Sequence, residues 1–308
     1  MRRRLTILIA VLLGLFALYT LAAVFLCEGT LHPSRKGLNG KVRLLAVTTA
    51  SRFDARLEAV QIPSVDGARL SAWLFRPNHG TGDAVILLHG HGDNRGGMLP
   101  FVPMFLRRQY SVLVPDARAH GESGGDFATF GLYESRDLRR WVDWWSTQSS
   151  RGCVYGLGES MGAAILLQAL PVEPRFCAVV AESPYATFRE VAYDRLGRKV
   201  GVGPGISRAL FGPLLSEAFL YARLRYGIDF NRNAPADSVA ATRVPILLVH
   251  GERDFNIPLR HCQAILNNHS GVMEFWPVLG AGHTGAFRRE PEEFERRVTD
   301  WFARQARP

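Results

Sequence analysis

Hydrophobic and polar positions divide the chain into a long apolar segment near the N-terminus and a larger region in which short apolar runs alternate with amphipathic ones. Residues 5–26 contain no charged side chain. As a helix, these 22 residues would extend about 33 Å, enough to cross a hydrocarbon core of about 30 Å. The pattern predicts one transmembrane helix at residues 5–26, after a basic cytoplasmic tip at residues 1–4 and before a polar neck at residues 27–50.

Residues 51–308 have the pattern of one folded domain. Polar and apolar side chains alternate at residues 57–63 and again at residues 69–75, which predicts a β-hairpin. Near-continuous apolar runs then alternate with helix-like segments from residue 84 to residue 181. Strands that are apolar on both faces are typical of a parallel sheet covered by helices on both sides. The predicted fold class is therefore α/β, with a mostly parallel central sheet.

The regular alternation stops between residues 184 and 243. This insertion is rich in aromatic side chains and arginines, and a glycine-rich turn at residues 201–205 interrupts it. Ligands of open α/β sheets bind at the carboxyl ends of the strands. We therefore expect residues 184–243 to form a helical cap over that edge, with some of its aromatic side chains lining an apolar pocket.

One apolar run ends in a motif that exposes a nucleophile. Residues 154–162 read Val-Tyr-Gly-Leu-Gly-Glu-Ser-Met-Gly, and an apolar helix-like segment follows them. A serine on a tight strand-to-helix turn needs glycine two positions before and after it, because side chains there would collide with neighbouring backbone. Ser160 is therefore the candidate nucleophile. A second Gly-x-Ser-x-Gly is centred on Ser123, but no helix start follows it, which favours Ser160.

A serine hydroxyl is a poor nucleophile at neutral pH and needs a base and an acid. Asp254 follows the apolar run at residues 244–251, and His283 lies in a glycine-rich loop after the next apolar run. His283 would accept the serine proton, while Asp254 would hold the imidazole in the required tautomer. Glu182, at the end of an earlier strand, remains the alternative acid.

The oxyanion that forms during attack on a carbonyl needs hydrogen-bond donors. We expect the backbone N–H groups of Met161, directly after the nucleophile, and of His91, in the loop after the third strand, to supply them. His89 and His91 are also spaced like two metal ligands, but no third ligand is evident, so no metal is expected. Residues 280–285 match a dinucleotide fingerprint, yet only 23 residues follow them, too few for the rest of the unit. No cofactor is expected.

These motifs together resemble the α/β-hydrolase superfamily, and more narrowly its single-domain prolyl-oligopeptidase-like, serine-aminopeptidase-like and BEM46-like serine hydrolases. The resemblance covers about residues 57–306 and rests on residues 89–92, 116–125, 158–162, 251–254 and 282–283. It implies the α/β-hydrolase fold and a Ser-His-Asp triad. One departure is Ala119, where the family usually has glycine after arginine. The resemblance says little about the substrate, because one fold hosts many chemistries.

Charge indicates on which side of a membrane the domain lies. Three arginines at residues 2–4 precede the apolar segment, and Glu28 follows it, so the positive-inside rule predicts a cytoplasmic N-terminus and an extracytoplasmic hydrolase domain. A cleaved signal peptide is the alternative, although residues 25–28 contain no small-x-small cleavage site. The net charge of +9 is scattered, so no nucleic-acid partner is expected.

The chain contains four cysteines, an even number that invites a disulfide in an extracytoplasmic protein. Cys153 and Cys177 begin apolar runs with the pattern of interior strands, and free cysteine is among the most buried residue types. We therefore favour free, buried thiols.

The expected function is that of a membrane-anchored serine hydrolase that cleaves an ester or thioester of an acyl lipid through an acyl-enzyme intermediate. A membrane anchor and an aromatic cap suit an amphipathic substrate. A serine peptidase and an acyltransferase are alternatives, whereas a silent scaffold has no need for a full set of catalytic groups. An anionic head group would suit six arginines of the cap segment, namely Arg189, Arg195, Arg198, Arg208, Arg223 and Arg225.

Overall fold

The structure, a computed structural model, describes residues 2–149, 151–269 and 271–306. The strands in these ranges are β1 (Ala55–Pro63), β2 (Arg69–Pro77), β3 (Ala84–Leu88), β4 (Ser111–Pro115), β5 (Val154–Glu159), β6 (Phe176–Glu182), β7 (Ile246–Gly251) and β8 (Met273–Val278). The α-helices are α1 (Arg2–Leu31), α2 (Gly40–Arg52), α3 (Val102–Leu106), α4 (Glu134–Gln148), α5 (Met161–Ala169), α6 (Phe188–Lys199), α7 (Pro204–Tyr226), α8 (Pro235–Ala240), α9 (Arg260–Leu266), α10 (Ala286–Arg289) and α11 (Pro291–Arg304).

The strands form one sheet in the order β1-β2-β4-β3-β5-β6-β7-β8. β1 and β2 pair antiparallel as a hairpin, and β2 is antiparallel to β4, whereas all other neighbours are parallel. Every residue of β3, β4, β6 and β7 is buried, because helices cover both faces of a parallel sheet. The predicted fold class, a mostly parallel sheet between helices, is confirmed.

The hydrophobic core lies in two layers, one on each face of the sheet. Trp141 of α4, Ile165 of α5 and Val239 of α8 belong to the layer on one face. Phe105 of α3 and Trp301 of α11 belong to the layer on the other face. The loops at the carboxyl ends of β3, β5, β7 and β8 consequently meet at one edge of a rigid sheet, which is where side chains from distant parts of the chain can converge.

The N-terminal segment is a helix long and apolar enough to cross a membrane. Its span Arg3–Leu31 reaches a mean hydropathy of 2.7, and most of its large apolar side chains, such as Leu21 and Phe25, are exposed. Length and composition of this kind suit a membrane anchor and a signal sequence equally. The helix extends five residues beyond residue 26, to Leu31.

Residues 27–50, expected as a polar neck, lie against the domain instead of separating it from the helix. Cys27 and Leu31 at the end of α1 are buried. In α2, Ala46 and Ala50 pack into the core beside β2 and α3. The reason is that these small and apolar side chains form short buried stripes on the two helices, α2 being otherwise mostly exposed and α1 being apolar on all sides. Such stripes are too short to detect in the sequence.

Cys153 and Cys177, for which we favoured free thiols, are joined by a disulfide, with a Cα–Cα distance of 5.7 Å. This corrects the expectation. The two residues lie near the starts of β5 and β6, and the parallel pairing of these strands brings them side by side. Cys27 and Cys262 are free and buried.

Removal of the disulfide should lower the free energy of unfolding. Its two cysteines are 24 residues apart, and closure of a loop of that length in the unfolded chain contributes about 3 kcal/mol. Chemical denaturation of the detergent-solubilised protein should show a loss of about that size in Cys153→Ala/Cys177→Ala. Reduced wild-type protein is the control and should lose a similar amount. Free alkylation of both thiols in protein trapped directly from cells would contradict the linkage.

Candidate active site

Ser160 lies on a strained turn between β5 and α5. Its φ is 53°, a left-handed value that few residues other than glycine adopt. A Cβ at Gly158 would lie 2.5 Å from the backbone carbon of Gly162, and a Cβ at Gly162 would lie 2.2 Å from the carbonyl oxygen of Leu88. Both glycines are therefore required by contact with backbone. The N–H of Ser160 donates to the carbonyl oxygen of Glu182 at 2.8 Å, which ties the turn to β6.

The structure brings the three predicted catalytic side chains into one hydrogen-bonded series. Nε2 of His283 is 2.9 Å from Oγ of Ser160. Nδ1 of the same ring is 2.8 Å from Oδ2 of Asp254. In this arrangement the serine hydroxyl donates to Nε2, and Nδ1–H donates to the carboxylate. The histidine is thereby oriented for proton transfer from the serine.

Asp254 is held as a carboxylate. Its Oδ1 accepts hydrogen bonds from the backbone N–H groups of Asn256 at 2.9 Å and Ile257 at 2.8 Å. Burial opposes the charged form, but the hydrogen bonds from His283 and from the amide of Ile257 keep the pKa of Asp254 below its usual range. The group is consequently ionised at neutral pH and able to stabilise an imidazolium.

Glu182, the alternative acid, holds the backbone near the site and does not contact His283. Its Oε1 accepts the backbone N–H of Ala286 at 2.9 Å, and its Oε2 is buried with no hydrogen-bond partner among the described residues. Burial raises the pKa of Glu182 to about 7. No hydrogen bond joins it to His283 in the described part of the chain. Its backbone oxygen, which accepts from Ser160, is its closest link to the nucleophile.

Ser123, the centre of the second motif, is fully buried. Its hydroxyl donates to the carbonyl oxygen of Asp116 at 2.8 Å and accepts the N–H of Ser71 at 2.9 Å. These bonds fix a loop beside β2 and leave the hydroxyl without a base. In the same loop, Ala119 has a φ of 58°, a conformation that the glycine usual at this position adopts without strain.

The two residues expected to supply the oxyanion donors lie close to the nucleophile, because Met161 directly follows Ser160 and His91 lines the same cleft. Met161 is the first residue of α5, and its N–H points from a helix N-terminus, where partial positive charge accumulates. Among the described residues, no acceptor takes the N–H of Met161 or of His91. The His91 loop lies over the serine, since a Cβ at Gly90 would be 3.6 Å from Cβ of Ser160. Both amides are thus available to a ligand.

His89 fixes this loop, a role that the sequence did not suggest. Its Nε2 accepts the N–H of Ala117 at 3.0 Å, and its Nδ1 donates to the carbonyl oxygen of Gly90 at 2.8 Å. Both ring nitrogens are therefore occupied. Within the described ranges, no group of three or more His, Cys, Asp or Glu side chains is arranged to hold a metal ion.

Two adjoining cavities reach the site. A polar cleft of about 240 Å³ is lined by Ser160 and His283. A larger and more apolar cavity of about 380 Å³ is lined mainly by α1, α6 and α7 and does not include Ser160. α6 and α7 belong to residues 184–243, the segment predicted as the cap. Three residues line both cavities, namely His91, Arg195 and Asn256. A substrate bound at the serine would thus reach the apolar cavity past these side chains.

Phenylalanines of the cap and of the loop before α4 form the inner wall of the larger cavity. The ring centroids of Phe130 and Phe188 are 4.6 Å apart, and those of Phe188 and Phe230 are 4.8 Å apart. Phe219 packs on Phe230 at 5.4 Å. All four line the cavity. Phe130 lies outside the predicted cap, and only the folded chain brings it here.

Arg195 differs from Arg189, Arg198 and Arg208, three other arginines of the cap. Arg189 and Arg198 donate to neighbouring oxygens, and Arg208 pairs with Glu190. Nε of Arg195 is buried and has no hydrogen-bond partner among the described residues. Burial lowers the pKa of this guanidinium, yet an arginine stays protonated at neutral pH. A half-buried cation whose Nε has no hydrogen-bond partner among the described residues therefore lies where the two cavities meet.

Comparison with known proteins agrees with this architecture. The chain is 26% identical over 246 residues to the uncharacterized protein YqkD of Bacillus subtilis, which covers 79% of this chain and 78% of that protein. It is 23% identical over 258 residues to the uncharacterized protein YfhR of Escherichia coli K12, with 82% of each chain covered. Both relatives therefore share most of the domain described above.

Solved structures show the same fold at low sequence identity. The esterase Pf2001 of Pyrococcus furiosus superposes with a TM-score of 0.69 at 24% identity, covering 89% of this chain and 98% of that one. The esterase EaEST of Exiguobacterium antarcticum superposes with a TM-score of 0.59 at 19% identity, covering 80% and 100%. Residues 85–297, which include Ser160, Asp254 and His283, match the alpha/beta hydrolase family. The chain belongs to the alpha/beta hydrolase family.

Proposed function

We propose that the protein is a membrane-anchored serine hydrolase that cleaves an ester or thioester of an acyl lipid through an acyl-enzyme intermediate. The observation that carries the proposal is the hydrogen-bonded series of Ser160, His283 and Asp254 beside two free backbone amides. Such a series is what nucleophilic attack on a carbonyl requires. Two structural neighbours are esterases by name, which agrees with the proposal.

The reaction follows from this geometry. Oγ of Ser160 attacks the carbonyl carbon while Nε2 of His283 takes its proton, and the resulting oxyanion accepts hydrogen bonds from the N–H groups of His91 and Met161. Asp254 stabilises the imidazolium. His283 then donates its proton to the departing alkoxide or thiolate. The product of this step is an acyl-enzyme. Water attacks this ester with His283 as base, and the carboxylic acid is released.

The cleft offers little to the charged N-terminus that an aminopeptidase must bind. A peptide N-terminus is a cation, and the cleft carboxylates that would bind it are Asp93 and Glu159. Asp93 is paired with Lys36 at 2.7 Å. Burial and the charge of Glu182 raise the pKa of Glu159 well above its usual range. Neither carboxylate is a good ligand for an ammonium group, whereas Arg195 at the inner end of the cleft suits an anion.

We further propose that α1 stays uncleaved and that the domain lies on the extracytoplasmic side. The arginines before the apolar span support a cytoplasmic N-terminus. The disulfide between Cys153 and Cys177 supports an oxidising compartment for the domain. Protein in which this disulfide is absent when trapped from cells would argue for the opposite orientation.

A fluorophosphonate probe should label Ser160 covalently. The elbow presents an activated hydroxyl, whereas the hydroxyl of Ser123 is buried in backbone hydrogen bonds. Labelling of the purified protein, followed by gel fluorescence and peptide mapping, should disappear in Ser160→Ala. It should persist in the matched control Ser123→Ala. Undiminished labelling of Ser160→Ala would refute the proposed nucleophile.

The identity of the acid gives a second test. Asp254→Asn should leave the fold intact but lower kcat by roughly 10³–10⁴-fold, because the amide favours the wrong tautomer of His283. Glu182→Gln removes a carboxyl that does not contact the histidine and should reduce kcat far less. Ester hydrolysis and circular dichroism of both variants are the measurements. If Asp254→Asn lowers kcat only slightly and Glu182→Gln lowers it by orders of magnitude, the acid is Glu182 of β6.

Arg195 should select for an anionic substrate. The pair to compare is oleoyl lysophosphatidate and oleoylglycerol, which differ by one phosphate. A charge-assisted hydrogen bond contributes about 1.5–3 kcal/mol, so Arg195→Gln should lower the ratio of kcat/KM for the anionic over the neutral lipid by roughly 10- to 100-fold. Arg208→Gln, which changes a cap arginine paired with Glu190, is the control and should keep the wild-type ratio. An unchanged ratio in Arg195→Gln would remove Arg195 from substrate selection.

A further inference from the structure

The last turns of α1 form part of the wall of the apolar cavity. Leu26, Cys27, Gly29 and Thr30 line it opposite the phenylalanines of the cap. Leu26 is the last residue of the apolar span at residues 5–26, and the other three come directly after it. The helix that would hold the protein in a membrane is therefore also a structural part of the cavity next to the nucleophile.

The end of α1 is fixed in this place by specific contacts. Oε1 of Glu28 accepts hydrogen bonds from the hydroxyl groups of Tyr221 and Tyr226 of α7, each at 2.7 Å. The carbonyl oxygen of Leu31 accepts the N–H of Ala128 at 2.8 Å. Hydrogen bonds to a carboxylate are about twice as strong as neutral ones. A helix held in this way keeps one position relative to the cap.

The cavity lies at the level where the apolar surface of α1 ends. Leu21 is 64% exposed and Phe25 is 80% exposed, so lipid would surround the helix up to this point. On α7, Leu220 and Leu224 are also exposed and lie near the tyrosines that bind Glu28. Apolar side chains exposed on both helices are expected beside acyl chains, where their burial is favourable.

From these observations we propose that α1 is a wall of the acyl-binding site, and that the acyl chain of a membrane lipid passes from the bilayer along its last turns into the cavity. The ester of the same lipid then lies at Ser160, beyond His91 and Arg195. This proposal rests on the proposed function. It adds that the substrate is drawn from the membrane in which the enzyme is anchored, and that the anchor takes part in chain-length selection.

Gly29 gives a direct way to fill the cavity. A Cβ added there would meet no atom within 4 Å, so a larger side chain would extend into open space at the cavity wall. Gly14, in the exposed part of α1, also has no atom within 4 Å of an added Cβ. It provides a matched control with the same substitution on the same helix, remote from the site.

The experiment is a p-nitrophenyl ester series from acetate to palmitate, measured with the full-length protein in nanodiscs. In wild type, kcat/KM should rise several-fold per two-carbon step until the cavity is full. Gly29→Phe should lower the palmitate-to-acetate ratio of kcat/KM at least tenfold, and Gly29→Leu should give an intermediate loss. Gly14→Phe should match wild type. Thermal unfolding verifies that each variant is folded, and Gly29→Leu alone provides the test if Gly29→Phe is not.

The outcomes separate this proposal from the function on which it rests. If wild type hydrolyses none of the esters and Ser160 is not labelled by fluorophosphonate, the proposed function fails. If wild type prefers long chains and both Gly29 variants keep the wild-type ratio, the enzyme is an esterase but α1 does not bound its acyl site. A flat chain-length profile in wild type also overturns the proposal.

Discussion

The backbone conformation of Ser160 is the constraint on which the rest of the site depends. A non-glycine residue held at a φ of 53° is strained by about 1–3 kcal/mol, and the surrounding structure must maintain it. Gly158 and Gly162 permit this, because any side chain at either position would overlap backbone of α5 or β3. In this conformation the hydroxyl of Ser160 lies at the carboxyl edge of the sheet, and the amide of Met161 lies beside it at the N-terminus of α5. Each other part of the site is positioned relative to this turn.

The second interaction of consequence joins α1 to the cap. Glu28 is the only acidic residue between residues 1 and 50, and it accepts hydrogen bonds from two tyrosines of α7. This contact connects an apolar helix, a cap helix and a cavity that adjoins the nucleophile. The helix α1, the cap segment and the cavity beside the active site are consequently packed together, and residues expected to form a neck contribute to the core.

Much of the fold and of the candidate site was predictable, because the signals are local. A buried strand is a short apolar run, and an elbow is five consecutive residues, so the parallel sheet and the candidate Ser160 follow from sequence neighbours. Asp254 and His283 were predicted by their place after successive strands, and the structure brings both within hydrogen-bonding distance of one another. Strand order at one sheet edge makes such a prediction possible.

The remaining features depend on contacts between distant residues. Cys153 and Cys177 each have the pattern of a buried residue when taken alone, whereas the disulfide results from the pairing of β5 and β6, at whose starts they lie. The arginines of the insertion look alike in sequence, and only packing shows that Nε of Arg195 is buried without a hydrogen-bond partner among the described residues where the cavities meet. The contribution of α1 to the cavity has no sequence signal, since an apolar helix is also what a plain anchor requires.

The most direct test of the account is an experimental structure of the full-length protein after reaction with a hexadecyl phosphonate. The account predicts phosphorus bonded to Oγ of Ser160, with a phosphoryl oxygen within about 3 Å of the backbone nitrogens of His91 and Met161. The alkyl chain should lie between the phenylalanines of the cap and residues 26–30 of α1. A chain that runs over the protein surface or away from α1, or phosphorus bonded to another residue, would contradict the account.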